Sequence, residues 1–169
     1  MTFKPDRRDR ALDEMPATPL HGEIPLLEEE IRALLAEHDR CWQALDMRSL
    51  YRFWDPDDQD PVYIGGEYSA PIIGRGELGR HWGRLGGRIT MARTTSSLSH
   101  IKLLAPDVAL VVYLCEWEFE TADTDLRNAG QDWVSAVLRR TADGWRFIHQ
   151  AESATFNAGA TAVDVESGE

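Results

Sequence analysis

A chain of 169 residues has room for one ordinary domain with short tails and too little for two well-packed ones. Its 18 Lys plus Arg stand against 29 Asp plus Glu, a formal net charge of −11, which argues against nucleic acid or an anionic membrane as a partner held by bulk charge. The composition, 43% hydrophobic, is that of a globular domain, and no apolar run approaches the roughly 20 residues of a membrane span. Cys41 and Cys115 show no CxxC spacing and nothing at the N-terminus resembles a signal peptide, so a reduced, cytoplasmic setting is expected.

Residues 1–23, with Pro5, Pro16 and Pro19 among scattered charges, read as a flexible N-terminal arm. Residues 157–169 lack periodicity and read as a flexible tail, which leaves 24–156 as the folded domain. From Pro25 onward Leu27, Ile31, Leu34, Leu35, His38, Trp42 and Leu45 recur in steps of three and four, the stripe of a long helix whose N-terminal end suits Glu28, Glu29 and Glu30. Asp46 ends it. Ser49 is expected to cap a short second helix carrying Leu50, Tyr51, Phe53 and Trp54, stopped by Asp55-Pro56. Val62–Ile64 and Glu67–Ser69 read as two short strands around Gly65-Gly66, and Gly76–Leu85 as a third helix with Leu78, Trp82 and Leu85 on one side. The period then changes: Ile89–Leu104, Val108–Glu120, Gln131–Thr141 and Trp145–Ser153 are β-type runs, separated by Pro106-Asp107, residues 121–130 and Asp143-Gly144. Helices first and a meander last predict an α+β fold with a curved antiparallel sheet of about six strands.

Alternation in the second long strand puts Val108, Leu110, Val112 and Leu114 on one face, and Val111, Tyr113, Cys115, Trp117 and Phe119 on the other. Three helices can cover only one face of such a sheet. The outer face is therefore expected to form a homodimer contact.

The nominal motifs carry little. Gly74-Arg75-Gly76-Glu77-Leu78-Gly79 matches GxGxxG, but the strands that follow are antiparallel and no acid stands about 20 positions on, so the glycines read as turn and helix-start residues. Asp55, Asp57, Asp58 and Asp60 lack the Gly and Glu that a calcium loop needs at its sixth and twelfth positions. HExxH, HxH, a Cys/His cluster and GxSxG do not occur, and no metal or cofactor is expected. Six tryptophans are many for this length; Trp42, Trp82, Trp117 and Trp133, with Tyr63, are candidate walls of an apolar pocket. His149 shares parity with Trp145 and Phe147 and is expected to point inward, with Tyr113 as its candidate neighbour.

The segment Trp42-Gln43-Ala44-Leu45-Asp46, the stretch Tyr63-Ile64-Gly65 followed by Gly74 and Trp82, and the closing Gly144-Trp145-Arg146-Phe147-Ile148-His149 with Ser153 resemble the nuclear transport factor 2-like superfamily and its SnoaL-like branch. The resemblance implies a cone, a curved sheet wrapped around the long helix with a pocket between them, dimerising through the sheet. The candidate aromatic walls suit a small hydrophobic ligand, and the resemblance leaves two functions open. One is a cofactor-independent isomerase, dehydratase or cyclase working by proton transfer, with His149 as acid or base and Tyr113 as hydrogen-bond donor. The other is a non-catalytic interaction or assembly module. In the related kinase-association branch, pocket strands carry arginines; the matching positions here are Cys115, Ser135 and Glu152, which argues against an anion pocket of that kind.

Overall fold

A computed structural model of the chain describes residues 23–66 and 68–155. The expected arm, save its last residue, and the expected tail lie outside the described residues. Helix α1 spans Glu23–Gln43, α2 Met47–Arg52 and α3 Arg75–Leu85; the strands are β1 (Val62–Ile64), β2 (Ile72–Ile73), β3 (Ile89–Ala105), β4 (Val108–Thr121), β5 (Thr124–Thr141) and β6 (Gly144–Ala154). They form one curved six-stranded sheet in the order β2-β1-β6-β5-β4-β3, and the fold is the expected α+β cone. No described helix is long and apolar enough to cross a membrane.

The stripe read from the sequence is the buried face of α1: Leu27, Ile31, Leu35 and His38 pack on the concave side of the sheet against Val111, Ala136, Leu138 and Phe147. Helix α1 ends where Leu45 enters the left-handed region at φ 54°, with Asp46 N–H donating to the Cys41 carbonyl at 2.9 Å. That closure satisfies a carbonyl the helix would otherwise leave open. The cap of α2 is Asp46, not Ser49: the Asp46 carboxylate accepts from Ser49 N–H at 2.9 Å, since a carboxylate three residues upstream reaches the first-turn amide that a hydroxyl on Ser49 cannot.

Two further expectations are corrected. The short partner of β1 is Ile72–Ile73, not Glu67–Ser69; Gly65 and Gly66 begin a longer excursion, and β1 itself joins β6 in parallel, with Val62 beside His149 and Ile64 beside Ala151. Most of the segment 121–130 is strand, not loop. The turn is confined to Ala122-Asp123, and β5 then pairs with β4 through Glu120 beside Arg127 and Glu118 beside Ala129. Ion pairs substitute for apolar pairing along this stretch: Arg127 meets Glu118 at 3.0 Å and Glu120 at 2.8 Å, and Arg93 of β3 meets Glu118 at 3.3 Å. At the other end of β5, Gly144 takes φ 99°, the conformation that lets Asp143-Gly144 close the hairpin to β6.

The edge of β6 is clamped early. Phe147 donates its N–H to the Phe53 carbonyl at 2.8 Å and accepts from Asp55 N–H at 2.9 Å. Beyond it the pairing with β5 slips, Leu138 facing Phe147 but Val137 facing His149, so Ile148 is the extra residue of a β-bulge. The Asp55 carboxylate, 1% exposed, is held by Arg139 Nη1 at 2.8 Å and by Asp57 N–H at 3.0 Å. Glu30–Arg140, near half exposed on both sides, ties α1 to β5. Arg139→Leu strands a buried carboxylate and is expected to cost about 3 kcal/mol. Glu30→Gln at the exposed pair should cost less than about 1 kcal/mol. Urea titrations of both variants check the ranking.

Candidate functional site

A cavity of about 550 Å³ opens between α1, α3 and the concave face of the sheet. Strand register writes its floor as cross-strand rows: Leu98, Tyr113, Val134 and Glu152 in one, Ser96, Cys115, Asp132 and Ala154 in the next, then Thr94, Trp117 and Gly130. Rings form its wall in a continuous series. Trp117 stacks on Phe119 with centroids 5.5 Å apart, Phe119 lies 5.3 Å from Trp42, Trp42 5.4 Å from Trp82, and Trp82 6.3 Å from Tyr63. Gly130 is required where it stands, because a Cβ there would come within 2.6 Å of Trp117 Cζ2.

Polar groups enter from four elements. Asp39, one position beyond the apolar stripe of α1, accepts from Thr94 Oγ1 at 2.9 Å, Ser96 N–H at 2.7 Å and Ser96 Oγ at 2.9 Å, which fixes its carboxylate against β3. Glu152 accepts from Tyr63 Oη at 2.9 Å and Gln150 Nε2 at 3.0 Å. Asp132 accepts from Trp117 Nε1 at 2.8 Å. Tyr113, 2% exposed, lines the floor, and its hydroxyl meets no hydrogen-bond partner among the described residues. His38 also lines the cavity, edge-on to Trp42, Phe53 and Phe147.

Burial sets the protonation of these groups. It lowers His38 to about 4, so the imidazole is neutral at pH 7. His81, against Tyr63, Tyr68 and Trp82 with no hydrogen-bond partner for Nε2 among the described residues, is also lowered to about 4, by burial and then by Arg84. Tyr113 is raised well above the usual phenol range, first by burial and then by Cys115, Glu152 and Asp39. Cys115 is pushed up to about 12 by burial and by the nearby carboxylates of Asp39, Glu152 and Asp132, against a hydrogen bond from Ser96. The thiol is therefore not a nucleophile at neutral pH. The cavity offers a protonated phenol, a neutral imidazole and three carboxylates behind an aromatic wall.

Of the residues picked from sequence, Trp42, Tyr63, Trp82, Trp117 and Tyr113 all line this cavity. His149 and Trp133 do not. The bulge at Ile148 inverts the parity of β6 beyond Phe147, so Gln150 and Glu152 face inward while His149 sits beside Val137 and Val62 on the other face. Trp133, 46% exposed, lies beside Leu114 on the outer face because Asp132 and Val134 hold the inward positions. Ser135 shares that outer face. The residues passed over are Asp39, Asp132 and His38 as cavity groups; alternation of Val134, Ala136 and Leu138 was the available signal for Asp132.

A family model described as the SnoaL-like domain matches residues 31–157. A search of curated proteins found no match. Among solved structures, the chain is similar to a proposed scytalone dehydratase from Novosphingobium aromaticivorans, with a TM-score of 0.71, 9% identity, and coverage of 81% of this chain and 89% of that one. It is similar to a nuclear transport factor 2-like superfamily protein from Salmonella enterica, with a TM-score of 0.68, 14% identity, and 86% and 99% covered. A ketosteroid isomerase-like protein from Erwinia carotovora gives a TM-score of 0.64 at 15% identity, with 81% and 99% covered. Identities this low speak for the fold alone.

The depressed values of His38 and His81 give a pH dependence of definite sign. Between about 4 and the unfolded value of 6.5 the unfolded chain binds more protons than the folded one, so stability rises with pH across that window and levels off above it. Urea midpoints should fall steadily from pH 6.5 to 4.5, and His38→Gln should make that fall shallower.

Proposed function

The chain belongs to the SnoaL-like family of the nuclear transport factor 2-like superfamily, and we propose that it works as a dimer that binds a small hydrophobic molecule in the cavity above Tyr113. The observation that carries the reading is the continuous aromatic wall around a phenol hydroxyl that has no hydrogen-bond partner among the described residues. Apolar walls gain from burying a ligand's hydrocarbon body, and a lone directed donor orients its polar group. The site supports cofactor-independent proton transfer of the isomerase, dehydratase or cyclase type in preference to a purely structural module, because Tyr113 stays protonated and can hold charge developing on a ligand oxygen. His38 and the fixed Asp39 and Glu152 carboxylates supply the proton-accepting groups within the same cavity. A cytoplasmic setting is consistent with two free cysteines.

Fluorescence titration with the neutral fluorophore N-phenyl-1-naphthylamine tests the binding reading. One dye per chain is expected, with affinity lowered about 10-fold in Gly130→Ala, whose methyl displaces the Trp117 ring. Absence of saturable uptake would favour the interaction-module alternative.

The dimer reading rests on the outer face, where Leu110, Val112, Leu114 and Val137 stand with the exposed indole of Trp133. Sedimentation at micromolar concentration should give about twice the chain mass of 19.1 kDa. Val112→Glu should return it to one chain, since an unpaired carboxylate in a closed interface costs several kcal/mol.

A further inference from the structure

We infer that Asp132 selects what the cavity holds: a hydroxylated aromatic compound whose O–H donates to Asp132 Oδ1 while its ring packs on the wall beside Trp117. This deepens the ligand-binding reading above and rests on it. Asp132 reaches the cavity because β5 alternates Asp132, Val134, Ala136 and Leu138 on its inner face, with Cys115 of β4 directly opposite Asp132. Trp117 pairs with Gly130, and the benzene half of the indole lies over that glycine, Cζ2 at 2.6 Å and Cε2 at 3.0 Å from where a Cβ would stand. From there Trp117 Nε1–H donates to Asp132 Oδ2 at 2.8 Å, two residues farther along β5. One oxygen of the carboxylate is thus held in place. The other, Oδ1, accepts no hydrogen bond among the described residues.

The other two carboxylates of the cavity take protein donors on both oxygens. Asp39 is held by Thr94 and Ser96, and Glu152 by Tyr63 and Gln150 on Oε1 and by the Gly66 N–H on Oε2 at 3.4 Å. Donors that stand near Asp132 are spent elsewhere: Ser96 Oγ donates to Asp39, and Gln131 Nε2 to Glu116 at 2.8 Å. A ligand packed on the ring wall excludes water from Oδ1. A carboxylate oxygen has no hydrogen to give, so the ligand must then supply a donor or leave the acceptor unsatisfied, at a large cost in affinity. A phenolic O–H lies at the edge of its ring and in the ring plane, the disposition from which the indole N–H already meets this carboxylate, and its hydrogen bond to such an acceptor is short and strong. Tyr113, 2% exposed and one cross-strand row away, lines the same floor with a hydroxyl that has no partner among the described residues, so a second oxygen on the ligand has a contact of its own.

Equilibrium dialysis of the full chain at pH 7.5 against 2-naphthol and 2-fluoronaphthalene, which share a skeleton and differ in the O–H, isolates the donor. The naphthol is expected to bind about 10-fold tighter. In Asp132→Asn the amide oxygen can keep the Trp117 bond while the NH2 group donates where Oδ1 accepted, and in Asp132→Ala the acceptor is gone. Each variant, its fold checked by near-ultraviolet circular dichroism, should bring the preference below about threefold. A preference under about threefold in the native chain overturns donor recognition while leaving the pocket reading intact. One that stays above about threefold in the folded variants overturns the role of Asp132. Failure of both probes to bind overturns the pocket reading together with this one.

Discussion

Phe147 exchanges both of its backbone hydrogen bonds with the segment Phe53–Asp55, and the geometry of the cavity follows from that exchange. The segment occupies the free edge of β6 for one residue pair before β1 takes over in parallel, and the single extra residue at Ile148 absorbs the change of partner. Since side chains alternate strictly along a strand, one inserted residue exchanges the faces of everything beyond it. Upstream of the bulge β6 delivers Trp145 and Phe147 to the core; downstream it delivers Gln150 and Glu152 to the cavity. The aromatic packing of Trp54 on Phe147, with centroids 5.7 Å apart, buries this junction and holds the register against slippage.

Asp39 performs the corresponding task on the opposite wall. A helix lying across a curved sheet can slide or roll on apolar contacts, which are not directional. Three hydrogen bonds from Thr94 and Ser96 to one carboxylate, and one from Gln43 Nε2 to the Thr94 carbonyl at 3.2 Å, fix the rotation of α1 about its own axis. That rotation determines which residues of the helix look into the cavity. His38 and Trp42 do so because Asp39, between them, is pinned to the edge strand.

The elements were legible wherever local chemistry decides them. Steps of three and four from Leu27 to Trp42 identify α1, and β-branched and aromatic runs identify β3, β4 and β6, because periodicity reports which side of an element meets the core. The inward set Tyr113, Trp117 and Phe119 follows from alternation in β4, where the pairing with β5 shows no slip before Glu120. His149 was placed on the wrong side because its parity depends on a residue pairing with Phe53–Asp55, more than ninety positions earlier, and no local pattern announces such a bulge. Trp133 reads as a candidate pocket wall on a β-type run; its neighbours Val134 and Ala136 carry the better signal, that small apolar groups alternate on the inner face. Asp39 carries no cavity signal in the sequence, because the donors that bury it, Thr94 and Ser96, come from a strand that the sequence identifies but does not position. The first residues of β5 were read as loop because charge pairs, not apolar contacts, hold them to β4.

Those charge pairs give the two ends of the cavity unequal sensitivity to the solution around them. The floor, at Tyr113, Val134 and Glu152, lies among buried apolar neighbours whose attraction does not depend on dissolved ions. The other end, where Phe119, Thr121 and Asn128 line the cavity, is carried by the hairpin that Arg93, Glu118, Glu120 and Arg127 lace together on its exposed side. Screening by salt, with a Debye length that shrinks from about 10 Å at 0.1 M to about 3 Å at 1 M, weakens exposed pairs and spares buried ones. The same cone therefore has one end whose grip follows ionic strength and another that keeps its shape.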